Sequence, residues 1–253
     1  MWDPKGYANA SHAQQFWADG VISRLSLEDG ESVLDIGCGD GRVTARLNAL
    51  TRGETVGIDS SEAMIEYAKQ HYPEVIFKVM RAEDLRFYRR FDVIFSNAVL
   101  HWVSDHRSVA KGIFNALKSG GRFRVQFGGH GNAVTVFEAL ERLKEGEYGV
   151  YLEGFDDPYY FPTAEAFGTL LKEAGLSDVT SALLEVDTVH PDVRAFREWL
   201  RTTWFPYIER IPRKMQESFL DAWVASYLQD PEVQSPKGVH VRMIRLEASG
   251  WKP

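Results

Sequence analysis

The segment Val33-Leu34-Asp35-Ile36-Gly37-Cys38-Gly39-Asp40-Gly41 constrains this chain more than any other. A short apolar run carrying one acid is followed by three glycines at alternate positions, and then a helical pattern begins. That order reads as a buried strand, a tight loop and a helix entry. Glycine suits such a loop because it tolerates positive φ and, lacking Cβ, lets a ligand approach the backbone closely. Thr55-Val56-Gly57-Ile58 reads as a second strand with Asp59 at its end. An acid about 20 residues beyond a glycine loop is suited to gripping ribose hydroxyls. Together the two features point to a nucleoside-bearing cofactor. The dinucleotide fingerprint G-x-G-x-x-G would place glycine at position 42, where this chain has Arg42.

Alternation of strands and helices continues along the first half. Strands are expected at Ser32–Ile36, Thr55–Ile58, Val75–Met80, Phe91–Phe95 and Arg122–Phe127, with helices from Gly41 to Leu50, after Ser60 or Ser61, and from Ser104 to Leu117. Phe91–Phe95 is apolar apart from Asp92, as a buried parallel strand should be. Such a βα alternation implies a parallel sheet with right-handed crossovers. The second half is less regular. A helix is expected at Thr163–Ala174, stopped by Gly175, and strands at Val179–Val186 and Val239–Leu246, with an aromatic-rich helical stretch from Pro191 to about Tyr227.

An apolar content of 44% over 253 residues is enough for a sizeable core. The net charge of -7 disfavours a general nucleic-acid binder, which presents a basic excess. A lone cysteine, Cys38, excludes an internal disulfide and fits a reducing compartment. With no apolar run of transmembrane length and no secretory pattern, a cytoplasmic location is the expectation. No grouping of His, Cys and carboxylates has metal-site spacing, so no metal is expected.

The pattern D-x-G-x-G-x-G at Asp35–Gly41 resembles the first motif of class I S-adenosylmethionine-dependent methyltransferases. Asp59-Ser60-Ser61-x-x-Met64 resembles the second, and Ala82-Glu83-Asp84-Leu85 the loop near the adenine edge. Ser96-Asn97-Ala98-Val99-Leu100-His101-Trp102 resembles the segment beside the reactive methyl, and Gly120-Gly121-Arg122 the turn before the fifth strand. More closely, Trp2-Asp3-Pro4-x-x-Tyr7, Ser11-x-x-Gln14, Ser96-Asn97-Ala98-x-x-x-Trp102 and Ala195-Phe196-x-x-Trp199-Leu200 resemble the trans-aconitate methyltransferase group of small-molecule methyltransferases. The resemblance implies an α/β, Rossmann-like class I methyltransferase fold: a mostly parallel seven-stranded sheet, helices on both faces and a helical cap. It implies one methyltransferase domain over residues 1–253, with an N-terminal helical segment over the cofactor (1–31), a cofactor-binding core (32–127) and a cap insertion (191–237).

The same resemblance implies S-adenosyl-L-methionine as cofactor, S-adenosyl-L-homocysteine as product, and a small-molecule acceptor; the acidic balance and the lack of a transmembrane-length run argue against nucleic acid and membrane as partners. It assigns cofactor contacts to Tyr7, Gln14, Asp35, Gly37, Cys38, Gly39, Asp59, Ser60, Met64, Ala82, Glu83 and Asn97. Asp35 otherwise fixes the loop, Met64 otherwise belongs to the core, and Cys38 is a small residue lining the turn. His101 is the candidate catalytic residue, a base if the acceptor is a phenol or an amine. A carboxylate acceptor, ionised at neutral pH, needs no base. Trp102, Trp199 and Arg201 are the candidate substrate-binding residues, Arg201 because guanidinium grips carboxylate bidentately. In one respect the chain departs from the family: Arg81 stands where an acid usually bonds the adenine amino group, and arginine offers donors only. Glu83, Asp84 or backbone groups must then make that contact.

Overall fold

The computed structural model describes residues 12–253, and within the first helix the side chains from Ala18 onward. That helix, α1, spans His12–Ser23, and β1 follows at Val33–Ile36, then α2 Arg42–Thr51, β2 Thr55–Asp59, α3 Glu62–His71 and β3 Ile76–Val79. The chain continues through β4 Phe91–Asn97, α4 His106–Ala116 and β5 Leu117–Gly128. After β5 come α5 Val134–Lys144, α6 Gly149–Leu152, α7 Ala164–Glu173, β6 Ser177–His190, α8 Val193–Thr203, α9 Phe205–Arg210, α10 Gln216–Tyr227, β7 Gln234–Ser235 and β8 Gly238–Trp251.

The strands form one sheet in the order β3-β2-β1-β4-β5-β8-β6, with the two-residue β7 pairing β8 off that path. β1 is parallel to β2 and β4, β2 to β3, and β4 to β5, whereas β8 runs antiparallel to β5. Strand order reverses at β1, whose neighbours are β2 and β4, and ligands in open α/β sheets bind beyond the carboxyl ends at such a point. Alternation along the central strands covers both faces. Leu34, Ile36 and Ile94 pack with Val109 and Ile113 of α4 and Phe167 and Leu171 of α7. Val33, Val93 and Phe95 pack with Val21 of α1 and Leu47 of α2.

The chain divides into two compact units: residues 1–130, 159–184 and 245–253 in the first, and 131–158 and 185–244 in the second. The second unit has its own aromatic interior. Phe196, Trp199, Trp204, Tyr207, Phe219, Trp223 and Tyr227 are buried there, and Trp223 Nε1 donates to the Val136 carbonyl at 3.1 Å. Arg142 of α5 donates from Nε to Ser226 Oγ at 3.0 Å.

The strands β6 and β8 run longer than the sequence expectation, to His190 and Trp251, and β7 adds an eighth strand to the sheet. Two further features differ. Residues 134–152, left without an element, hold α5 and α6. The fifth strand begins at Leu117 rather than Arg122, because the backbone passes through Gly120-Gly121 as strand, with Gly120 at φ 77°.

Candidate functional site

Four carboxyl-terminal strand ends of the first unit build a cavity of about 350 Å³. Its walls are Gly37 and Gly39 after β1, Asp59, Ser60 and Met64 after β2, Met80–Glu83 after β3, and Ala98, Val99, Trp102 and Val103 after β4. The glycine loop is bound to the end of β2: the amides of Gly37 and Cys38 donate to the Ile58 carbonyl at 2.7 and 2.8 Å. Gly37 has φ 76°, and a Cβ there would overlap the Val99 side chain packed against it. Only glycine fits that position.

Asp59 is the hinge of the arrangement. Its Oδ2 accepts from the Gly39 amide at 3.1 Å and its Oδ1 from the Ser61 amide at 2.9 Å. Burial raises its carboxyl above the ordinary range, and the amides of Ser61, Gly39 and Ser60 pull it back. A carboxylate held by amides on the cavity wall accepts hydroxyl donors. Ser61, not Ser60, caps α3, accepting from the Met64 amide at 3.3 Å, which leaves Ser60 on the wall. On the far side, Arg81 donates from Nε to Glu83 Oε1 at 2.9 Å and pairs with it through Nη2. Asp84 pairs with Arg86 and is no part of the wall. Ala98 takes a left-handed conformation, φ 59°, and its amide donates to the Gln126 carbonyl at 2.7 Å.

The predicted residues fall into four groups. Gly37, Gly39, Asp59, Ser60, Met64, Ala82, Glu83 and Trp102 share the cavity wall. Asp35, Cys38 and Asn97 are outside it. Asp35 is buried beneath the loop, accepting from Thr44 Oγ1 at 2.7 Å, and burial raises its carboxyl to about 7, with Asp59 and Asp40 adding to the rise. Cys38 packs with Ile65 and Phe77, and burial raises its thiol well above the usual range. Tyr7 lies outside the described residues, as does the side chain of Gln14.

His101 and the second-unit residues form the last group. His101 is not a wall residue. Its Nδ1 accepts from the Gly128 amide at 3.3 Å, its ring is surrounded by Trp102, Tyr159 and Phe161, and burial pushes its pKa well below the ordinary value. Trp199 packs against His190, Phe196 and Trp204 in the second unit. Arg201 there makes a two-pronged bond to Glu217, 2.7 Å on each prong. Sequence reasoning missed Met80, Ala98, Val99 and Val103 as wall residues and took Arg81 only as a departure. Met80 was findable, since it closes a strand of the parallel sheet at the ligand-binding end.

Among the described residues, no group of three or more His, Cys, Asp or Glu is arranged to hold a metal ion, and no helix is long and apolar enough to cross a membrane.

The chain belongs to the class I S-adenosylmethionine-dependent methyltransferases, and S-adenosylmethionine is its cofactor. It is an enzyme close to the trans-aconitate 2-methyltransferase group. A family model described as a methyltransferase domain matches residues 27–148. An uncharacterized methyltransferase of Schizosaccharomyces pombe is 32% identical, covering 79% of each chain. The trans-aconitate 2-methyltransferase of an Azoarcus species is 30% identical, over 88% of each chain. Among solved structures, phosphoethanolamine N-methyltransferase 2 of Haemonchus contortus, crystallised with S-adenosyl-L-methionine, aligns with a TM-score of 0.64 at 19% identity, covering 99% of this chain and 56% of that one.

Proposed function

We propose that this enzyme transfers the methyl group of S-adenosylmethionine to a carboxylate oxygen of a small acid, aconitate-like in class. The similarity to trans-aconitate 2-methyltransferases over nearly nine-tenths of the chain carries the proposal. The cavity suits the cofactor: two glycines that leave the loop backbone open to a ligand, a carboxylate for ribose hydroxyls, and apolar Met64, Met80, Val99 and Val103 for a flat base. The cofactor supplies a methyl group on a positively charged sulfur. What remains for the chain is alignment, and orientation alone contributes about 7–11 kcal/mol in favourable reactions.

The state of His101 favours an acceptor that arrives ionised. With Nδ1 accepting from Gly128, the neutral ring carries its proton on Nε2 and offers no basic lone pair. An amine or phenol would need a base, and a carboxylate needs none. In this proposal His101 serves as a hydrogen-bond donor and Trp102 borders the acceptor.

The test uses S-adenosylmethionine labelled in the methyl group with a panel of di- and tricarboxylic acids, including trans-aconitate. A methyl ester releases labelled methanol on mild alkaline hydrolysis, whereas N-, C- and ether-linked methyl groups do not. Alkali-labile, volatile label is the expected result. Alkali-stable label with an amine or phenol, and none with acids, would reject the carboxylate acceptor while leaving methyl transfer intact.

A further inference from the structure

The cavity wall carries two side-chain carboxylates, at the carboxyl ends of two neighbouring parallel strands. Asp59 closes β2 beside the glycine loop, and Glu83 sits in the single 3-10 turn Ala82–Asp84 after β3. Apolar Met64, Met80 and Val103 complete the walls, a lining suited to a flat heterocycle. Adenine presents an exocyclic amine, which donates hydrogen bonds. Arg81 has donors only, so it cannot receive that amine. Both Arg81 bonds land on the same oxygen of Glu83, Oε1. Arg81 is 72% exposed at the rim and Glu83 22% exposed on the wall, so the cation holds the carboxylate from the solvent side. The next acid, Asp84, is 54% exposed and turned to Arg86. A flexible glutamate is thereby fixed before ligand arrives, and charge-assisted bonds of this kind are short and directional.

We propose that Glu83, clamped by Arg81, is the group that reads the adenine amine of the cofactor, and that Arg81 is its positioning residue. The role lies two residues beyond the position held by arginine, and a cation takes part in it by holding an acid rather than by touching the base. The inference depends on the cofactor and is indifferent to the acceptor.

The experiment compares binding of S-adenosyl-L-homocysteine and S-inosyl-L-homocysteine by calorimetric titration. The second ligand replaces the amine by a carbonyl oxygen, an acceptor that would face the Glu83 carboxylate. Wild-type protein is expected to prefer the adenosyl ligand by at least about tenfold, the weight of one hydrogen bond to a charged group. In Glu83→Gln, whose amide can donate to the carbonyl, the preference should fall to near unity or reverse. Arg81→Ala should weaken adenosyl binding about three- to tenfold while keeping the direction of the preference. Both side chains are solvent-accessible, and a thermal melt of each variant confirms folding. An unchanged preference in Glu83→Gln overturns the proposal. So does a wild type that binds the two ligands equally, or an adenosyl preference that rises in Arg81→Ala, which would put the guanidinium itself against the base, where its donors favour the carbonyl oxygen. The ratio is independent of turnover, so a wrong acceptor cannot mimic failure here.

Discussion

Asp35 shows how much a single buried carboxyl under the loop can govern. Its folded pKa stands near 7 because burial disfavours the charge, while the Thr44 hydroxyl stabilises the ionised form from 2.7 Å. The unfolded chain releases this proton near pH 4 and the folded chain near pH 7, so between those values the native state holds the extra proton. This group's contribution to stability therefore falls as pH rises through that window, by up to about 1.4 kcal/mol per pH unit, and levels off above it. Thr44→Val removes the donor without changing shape. The ionised acid then loses a partner worth about 1–3 kcal/mol, whereas the protonated acid loses less. Urea unfolding at pH 5.5 and 8.5 should show the larger loss at pH 8.5. Equal losses at the two pH values would mean that Asp35 does not titrate in this range.

At the scale of elements, the glycine loop was legible because three signals coincide: an apolar run, glycines and a helical period. Strands β1, β2 and β4 were placed to within two residues for the same reason, being buried continuous runs. Helix α5 was not. It starts from Ala133 in a left-handed conformation with no side-chain cap bond, so the Ser, Thr, Asp or Asn that marks helix entries is missing. The wall residues Ala98, Val99 and Val103 escaped as site residues because apolar side chains on a cavity carry the same sequence signal as core. Glycine's second role, as a spacer between elements, was also invisible. At Gly41, which opens α2 with φ 83°, a Cβ would meet Ala68 Cβ of α3 at 2.7 Å and Phe77 of β3 at 2.8 Å. Gly41→Ala should therefore cost the left-handed penalty of about 1–2 kcal/mol plus about 1–3 kcal/mol of overpacking. Gly120 has a similar φ of 77° but nothing within 4 Å of its Cβ position, so Gly120→Ala isolates the backbone part. Denaturant midpoints should order wild type above Gly120→Ala above Gly41→Ala, and equality of the two variants would deny the close approach at Gly41.

Over the whole molecule, two hollows of the first unit compete as ligand sites, and size alone would favour the one without the glycine loop. One of about 450 Å³ lies toward the amino ends of the parallel strands, among Leu25, Glu31, Arg122, Arg124 and Trp251. Two of its arginines are already paired: Arg122 bonds Glu31 at 2.5 Å, and Arg124 bonds Glu247 at 2.5 Å. The smaller cavity lies at the carboxyl ends and is lined by Asp59, the glycine loop and Glu83, the groups proposed to take a nucleoside. Hydrogen exchange should separate them. Saturating S-adenosylhomocysteine is expected to slow exchange at Gly37–Asp40, Ser60–Met64, Met80–Glu83 and Ala98–Val103, while Arg122–Arg124 and Ser249–Trp251 change no more than the global stabilisation requires. That global term is RT ln(1 + [L]/Kd), about 2.7 kcal/mol at a hundredfold excess over Kd, and it sets the rise in melting temperature. NAD should produce neither effect, because Arg42 interrupts the glycine spacing a dinucleotide requires. Protection confined to the amino-end hollow, or NAD protection equal to that of S-adenosylhomocysteine, would move the cofactor away from the strand ends to which the glycine loop and Asp59 assign it.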